Sequence, residues 1–496
     1  MAAVVREIER KYKVAGADAP RLDEVGSAIA GVASVSARTE ESLDAVYYDT
    51  EDLRLLRGGV TLRHRSGGVD AGWHLKLPAG KDARDEIRLP PGEPGGGVPG
   101  ELAALVRGRT RGAALMPVVR ICTVRGRRQL LDEAGRPLAE IAADDVSAEP
   151  MDGSAATSWQ ELEVELVTGD RKLLMEVDAQ LRAAGARPAR TQTKLARALG
   201  DRLRDAGGSQ VREAARLTAD SPARDVVFGY LGRQVDAITH FDPLVRRDRP
   251  DAVHQMRVAT RRARSALRAF GEIVDRGRTR DIRGELRWLA AVLGRARDAE
   301  VLLARLESDL AAIPAELMTG PVRDRVTAHF SREGAQAQAA VVRELDGRRY
   351  LSLLDALDAL IAHPPLTELA THPAAKVLRK PVRKAGKSLK RALGQIPDQD
   401  RDEAIHEARK AAKRARYAAE AAMPALGGRA RKQAAQAKAL QTSLGDHHDS
   451  VVARALVRSL ASEARAAGEE TFTYGVMYER EACQARDIER TLAEIL

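Results

Sequence analysis

Glu7-Ile8-Glu9-Arg10-Lys11 sets a charged residue at every second position. On a β-strand successive side chains leave opposite faces, so Glu7, Glu9 and Lys11 share one face and Ile8 takes the other. The same alternation returns in Arg63 with Arg65, Arg84 with Glu86 and Arg88, Arg125 with Arg127, and Glu161 with Glu163 and Glu165. The opposite faces carry Leu62, Ile87, Leu162, Val164 and Leu166. A half-buried sheet with its charges in water is the ordinary outcome for any one such strand. Three carboxylates in a row are different: they stand about 7 Å apart and repel, which asks for a divalent cation or facing arginines. Carboxylate clusters suit Mg²⁺ or Mn²⁺, and arginine and lysine on neighbouring strands supply donors for phosphate oxygens.

Working outward, short alternating runs from Val4 to about Gly169 are broken by clusters such as Pro90-Pro91-Gly92 and Gly95-Gly96-Gly97. They predict antiparallel strands near 4–14, 34–49, 60–67, 72–79, 84–90, 118–131, 137–149 and 158–168, with helices near 20–31, 99–108 and 170–185. Eight strands are enough to close a barrel. The text near Arg120 to Arg128 admits two registers, so the facing of Arg125 and Arg127 against Arg120, and of Asp144 against Asp145, stays open. From about Thr218, Leu, Ala and Arg recur at 3–4 spacing, with breakers at Pro243, Pro250, Pro314, Pro364-Pro365 and Pro397, which predicts an all-α half.

The predicted architecture is therefore an α+β multidomain chain. An eight-stranded antiparallel β domain with flanking helices occupies 1–203, a linker around Gly207-Gly208-Ser209 occupies 204–217, and helices fill 218–496. Val253–Arg264 lies over Ile405–Arg416, so that His254 maps to His406, Arg257 to Arg409, Arg261 to Lys413 and Arg264 to Arg416. Leu293-Gly294 likewise lies over Leu444-Gly445. This is a degenerate duplication, about 218–362 and 363–496, best built as a pair of antiparallel four-helix bundles.

The 496 residues carry a formal charge of +10, which favours an anionic partner. At 3% aromatics there are few rings to stack on bases, which argues against nucleic acid. The two cysteines, Cys122 and Cys483, form no metal or disulfide framework. No apolar run approaches a membrane span, and Met1–Lys11 reaches Arg6, Glu7 and Glu9 before a signal-peptide core could form, so a cytoplasmic protein is expected.

In the helical half, His254, Arg257, Arg261, Arg264 and Arg268 fall within an arc of roughly 80°. His406, Arg409, Lys413 and Arg416 repeat the stripe, with Glu420 where Arg268 would recur. No acid interrupts Val253–Gly271. Leu369–Pro397 also lacks acids while carrying Lys376, Arg379, Lys380, Arg383, Lys384, Lys387, Lys390 and Arg391, a composition suited to a long polyanion. Asp446-His447-His448-Asp449 invites a metal reading, but adjacent histidines diverge on a helix and the first copy has Ala296 and Arg297 there.

Glu7-Ile8-Glu9-Arg10-Lys11 resembles the ExExK signature of the CYTH, or triphosphate tunnel metalloenzyme, superfamily. Tyr47-Tyr48-Asp49-Thr50, Leu62-Arg63-His64-Arg65, His74-Leu75-Lys76-Leu77, Arg84-Asp85-Glu86 and the Glu161–Glu165 run resemble its later motifs in order. The resemblance implies an eight-stranded tunnel binding a linear triphosphate. Glu7, Glu9, Glu161, Glu163 and Glu165 would be metal candidates for Mg²⁺ or Mn²⁺, with Glu7, Glu9 and Lys11 catalytic. Arg63, Arg65, Lys76, Arg125, Arg127 and Lys194 would bind phosphates, and Arg84 would pair with Glu86 in the wall. The duplicated half resembles the CHAD domain, which implies inorganic polyphosphate held by His254, Arg257, Arg261, Arg264, His406, Arg409, Lys413 and Arg416. The expected function is a divalent-dependent triphosphatase acting on tripolyphosphate or a related triphosphate, cytoplasmic and associated with polyphosphate granules. A non-catalytic polyphosphate-binding protein and an adenylate cyclase are the alternatives.

Overall fold

The computed structural model describes the chain apart from residues 1–2, 15–25, 27, 81, 94, 190–192, 206–216, 398, 400 and 496. The chain divides into two compact units, Met1–Glu213 and Ala214–Leu496. Most of the expected linker, and most of the helix expected near 20–31, lie outside the described residues.

In the first unit the strands are β1 (Ala3–Lys13), β2 (Ser34–Val35), β3 (Thr39–Asp49), β4 (Thr61–Ser66), β5 (Gly72–Pro78), β6 (Ala83–Leu89), β7 (Met116–Leu131), β8 (Pro137–Pro150), β9 (Thr157–Leu166) and β10 (Arg187–Pro188). They hydrogen-bond in the order β10-β1-β6-β5-β4-β3-β7-β8-β9, and β9 returns to β1. Without the two-residue β2 and β10, this is a closed eight-stranded antiparallel barrel. β1 closes it by changing partner midway: Ala3–Ile8 pair with β6, Glu9–Lys13 with β9.

The apolar faces of these strands point outward. Helix α1 (Arg54–Arg57) and α2 (Gly100–Thr110) cover one side, with Leu55, Leu102, Leu105 and Val106 packed on Leu62, Trp73, Leu75 and Ile87. Helix α3 (Arg171–Ala183), capped by Asp170 accepting from the Leu173 amide at 2.9 Å, covers another with Leu173, Leu174, Val177 and Leu181 on Tyr12, Ile141, Leu162 and Val164. Two short helices, α4 (Lys194–Ala198) and α5 (Gly200–Asp205), follow. With the apolar residues committed to the helices, the charged faces turn into the barrel.

Asp49, at the end of β3, shows how a motif residue can serve the scaffold. Its buried carboxylate accepts from the amides of Thr50 at 2.7 Å, Leu55 at 2.8 Å and Leu56 at 2.9 Å, fixing the entry to α1.

The second unit is helical: α6 (Ala223–Arg246), α7 (Ala252–Ala269), α8 (Arg280–Ala311), α9 (Val322–Asp346), α10 (Arg348–Ala362), α11 (Ala374–Leu393), α12 (Asp402–Leu426), α13 (Gly428–Ala466) and α14 (Phe472–Ile495). Extended backbone at Gly347 separates α9 from α10. Pro243 does not break the chain as expected but lies inside α6, where its burial in the bundle outweighs the hydrogen bond it forgoes. The duplication is visible in the backbone: the Ala223 amide donates to the His372 carbonyl at 2.9 Å, and the equivalent Ala374 amide donates to the Ser221 carbonyl at 2.8 Å. Among the described residues no helix is long and apolar enough to cross a membrane.

Replacing Asp49 by Ala strands three buried amides, each left without an acceptor. We expect a loss of about 2–4 kcal/mol from the barrel unit, read as a lowered midpoint in thermal unfolding.

Candidate functional site

The barrel lumen is a cavity of about 260 Å³ that includes Glu7, Glu9, Lys11, Arg63, Arg65, Lys76, Arg84, Glu86, Arg88, Arg125, Arg127, Glu163, Glu165 and Lys194 in its wall. Cross-strand register makes the wall a lattice of charge. Lys11 stands opposite Glu163, and Arg125 opposite Asp144, whereas Glu165 has Glu9 on one side and Glu140 on the other. Like charges directly opposite destabilise a sheet unless something neutralises them.

Neutralisation is uneven around the lumen. Lys194, the first residue of α4, is buried with its ammonium 2.7 Å from Asp144, 2.9 Å from Glu161 and 2.6 Å from Glu163. Arg125 grips Asp144 and Glu163, each at 2.6 Å, and Lys11 also bonds Glu163. Burial alone would raise the Glu163 carboxyl, yet Lys11, Lys194 and Arg125 hold it well below the usual carboxylate range. Asp144, Glu161 and Glu163 offer oxygens close enough to share one cation, but Lys194 already sits at their centre.

The other acidic group is less satisfied. Glu7 bonds Lys76 at 2.5 Å, and Glu9 lies 3.5 Å from Lys11 and 3.8 Å from Arg84. Among the described residues no ion pair reaches Glu165. Burial, together with the charges of Glu7, Glu9 and Glu163, pushes its carboxyl up to about 7 despite Lys76. The opposite deficit exists across the lumen. The buried Nε atoms of Arg63 and Arg65 have no hydrogen-bond acceptor, although Arg63 donates to the Tyr47 hydroxyl at 3.2 Å and Arg65 pairs with Asp70.

The register question left by the sequence is resolved. Arg125, Arg127 and Asp144 line or adjoin the lumen, whereas Arg120 pairs with Asp44 at 2.6 Å on the outer wall and Asp145 accepts from Gln160. The expected Arg84–Glu86 wall pair is corrected: Arg84 turns to Glu9, and Glu86 is taken by His74 at 2.9 Å, Lys76 at 3.5 Å and Arg88. Both side chains follow the lumen face of β6, where stronger partners reach them from β1 and β5. Glu41 and Glu140, which clamp Arg127 at 3.4 and 2.6 Å, were not anticipated. The period-two spacing of Glu140, Ala142 and Asp144 carried that signal.

In the helical unit the two stripes meet. Burial and the charges of Arg409, Arg261 and Arg257 push Lys413 from its ordinary 10.5 down to about 7. Burial and nearby arginines also lower His254 and His406, and His406 lies against His448 with ring centroids 4.4 Å apart. The counter-charges are modest and repeat with the duplication: Arg257–Asp298 at 3.2 Å and Arg409–Asp449 at 3.4 Å. Arg261 donates to the Tyr417 hydroxyl at 2.9 Å. The buried Nε atoms of Arg257, Arg261 and Arg409 lack acceptors. Arg264 belongs to an outer set with Arg287 and Arg268, and Arg416 spends its charge on Glu420 at 2.7 Å. His447 is buried against Glu489 at 2.8 Å, pointing away from His448.

Family models match both units: the CYTH domain over residues 5–198 and the CHAD domain over 229–458. An uncharacterized protein of Mycobacterium tuberculosis is 41% identical over 96% of this chain and 93% of its own length. The chain belongs to the CYTH–CHAD family. Among solved structures, the CHAD domain of the plant Ricinus communis is 28% identical, covering 57% of this chain and 96% of its own, with a TM-score of 0.46. A Hippeastrum protein described as having a dominant triphosphatase activity is 13% identical, covering 43% of this chain and 99% of its own, with a TM-score of 0.24. CYTH tunnel enzymes use divalent metals, and the donor chemistry of Glu7, Glu9 and Glu165 fits a hard cation that takes carboxylate oxygens.

Because the folded barrel raises the Glu165 carboxyl from 4.5 to about 7, its ionised form costs stability that is absent near pH 4, grows between 4.5 and 7, and is full at pH 8. Glu165→Gln should therefore raise the melting temperature of metal-free protein by a few degrees at pH 8 and not at pH 4. It should also weaken Mn²⁺ binding roughly 10-fold in calorimetry.

Proposed function

We propose that the CYTH unit is a divalent-cation-dependent triphosphatase, hydrolysing inorganic tripolyphosphate or a related triphosphate, and that the CHAD unit binds inorganic polyphosphate. The tunnel's paired deficits carry the first part: a half-buried carboxylate, Glu165, that no ion pair reaches among the described residues, and the buried Nε donors of Arg63 and Arg65, which lack an acceptor. A metal–triphosphate complex supplies both.

Glu7, Glu9 and Glu165 would hold the cation, Mg²⁺ or Mn²⁺. Once bound, such an ion neutralises phosphate oxygens and makes a bound water more acidic. Arg63, Arg65 and Lys76 bind the phosphate chain from one side of the lumen, and Arg125, Arg127 and Lys11 face it from the other. Water attacks the terminal phosphorus, the P–O–P anhydride bond breaks, and orthophosphate leaves with the shortened chain. The arginines stabilise the charge that develops on the transferring group. Lys194 keeps Asp144, Glu161 and Glu163 neutralised so that Arg125 stays in place, and as part of the lumen wall it would meet phosphate of the bound chain.

For the CHAD unit, His254, Arg257, Arg261, His406, Arg409 and Lys413 gather cations from both copies, with orphaned guanidinium donors opposed mainly by Asp298 and Asp449. Arg264, beside Arg261, Arg268 and Arg287, would add to this surface, whereas Arg416 is paired with Glu420 and would contribute little. A bound polyphosphate chain would keep the enzyme on polyphosphate granules in the cytoplasm.

Glu7→Gln with Glu9→Gln should abolish Mg²⁺- or Mn²⁺-dependent phosphate release from tripolyphosphate while the thermal transition is retained. Undiminished turnover, or cyclic AMP as the product from ATP, would refute the hydrolase. Lys413 gives a second readout. A polyanion favours its charged form, so binding at pH 8 should take up a proton, and affinity should be highest below pH 7 and fall as pH rises above it. Lys413→Arg should flatten that pH dependence, measured by calorimetry in buffers of different ionisation enthalpy.

A further inference from the structure

Helix α11 presents a second cationic surface that the cluster between the copies does not explain. Its buried face, with Leu378, Val382, Leu389 and Leu393, reproduces that of α6, where Val227, Leu231, Ile238 and Asp242 stand 151 positions earlier. The outer faces differ at all but one of the stripe positions, Lys384, which matches Arg233. Lys376, Lys380, Arg383 and Lys387 are all exposed, and the matching positions of α6 hold Asp225, Gly229, Gly232 and Asp236. The shared fold therefore does not require most of the cations of α11, since the other copy has neither lysine nor arginine at seven of the eight positions.

From Lys376 to Arg391 the stripe follows one helical face for about 22 Å at 1.5 Å per residue. Among the described residues it meets one acid, Glu272, 3.2 Å from Lys380. Eight like charges on one face repel, a cost of folding that an external polyanion removes.

We propose that this face of α11 is a second track for linear inorganic polyphosphate, separate from the Arg257–Arg409 cluster, so that a long chain engages the CHAD unit at two places. The proposal rests on the reading of that unit as a polyphosphate binder. A single file of cations on a convex helix suits a flexible linear polyanion. The helix carries no aromatic side chain on which a base could stack. It also lacks the exposed apolar residues that membrane-surface helices insert beside their cations, since its larger apolar side chains are turned to the bundle. Two tracks on one unit raise the affinity for chains long enough to span both and leave short chains unaffected.

The test compares full-length wild type with two variants: Lys376→Gln/Lys380→Gln/Lys384→Gln/Lys387→Gln on the track, and Arg257→Gln/Arg261→Gln/Arg409→Gln in the cluster. Affinity for long and short polyphosphate is measured across a salt series, with an RNA of matched charge and phosphatidylserine vesicles as separate arms. The track positions are exposed, and circular dichroism checks the fold. The track variant should bind long chains at least about 10-fold more weakly, with a salt slope lower by about 3, and bind short chains as wild type does. Unchanged binding of long chains overturns the second track while leaving the CHAD reading intact. A selective loss of RNA or vesicle binding overturns it in favour of those partners. Wild type that binds no polyphosphate at all refutes the underlying reading instead.

Discussion

The barrel depends on neutralising charge that its own inversion creates. Once the apolar strand faces are spent on α1, α2 and α3, carboxylates and guanidinium groups must share a small lumen, and burial of an unpaired charge is prohibitive. Lys194 meets that constraint for Asp144, Glu161 and Glu163. Removing one partner from such a knot costs about 3–5 kcal/mol, since the others remain buried and unpaired. Its position at the start of α4, where the Thr193 hydroxyl accepts from the Ala196 amide at 3.0 Å, ties the helix after the barrel to the lumen's charge balance.

The same constraint separates structural acids from available ones. Equal spacing along β9 makes Glu161, Glu163 and Glu165 look equivalent, but they are not. Glu161 and Glu163 fall within reach of Lys194, whereas Glu165 lies two residues farther along and faces Glu9 and Glu140. On the proposed reading, local charge imbalance leaves one end of the lumen for a cation, and the unaccepted Nε donors of Arg63 and Arg65 leave a place for anions. A tunnel neutral everywhere would hold its own shape and bind neither.

Period-two charge patterning was enough to read the strands, the lumen-facing residues of β1, β4, β5 and β9, and the change to helical structure. What it could not supply was partner choice. Arg84 and Glu86 are two apart on one strand and look like a pair, yet β1 and β5 bring Glu9, His74 and Lys76 closer, a tertiary fact with no local trace. The facing of Arg120 and Arg125 needed the barrel register, because both sit in an unbroken run of possible strand residues. In the helical half, the alignment of His254 with His406 located the stripes, but Arg416 was neutralised by Glu420, which stands where the first copy has Arg268.

The glycines of the duplication show why its core has stayed symmetric while its surface has not. A Cβ on Gly294 would stand 3.5 Å from the Arg257 guanidinium, and one on Gly445 would stand 3.6 Å from that of Arg409. In each copy the arginine lies flat across a glycine of the long helix and reaches an aspartate four residues on, Asp298 or Asp449. A Cβ there would meet the guanidinium at ordinary van der Waals distance, so each glycine gives its arginine room across the long helix, and the same Gly, Arg and Asp arrangement recurs in both copies. No such shared arrangement ties the outer face of α11 to that of α6, and there one copy carries eight lysines and arginines while the other keeps only Arg233 at the matching positions. Where packing leaves a surface free to vary and charge nonetheless concentrates on one copy against its own repulsion, a ligand of the opposite sign is the physical reason for it to persist.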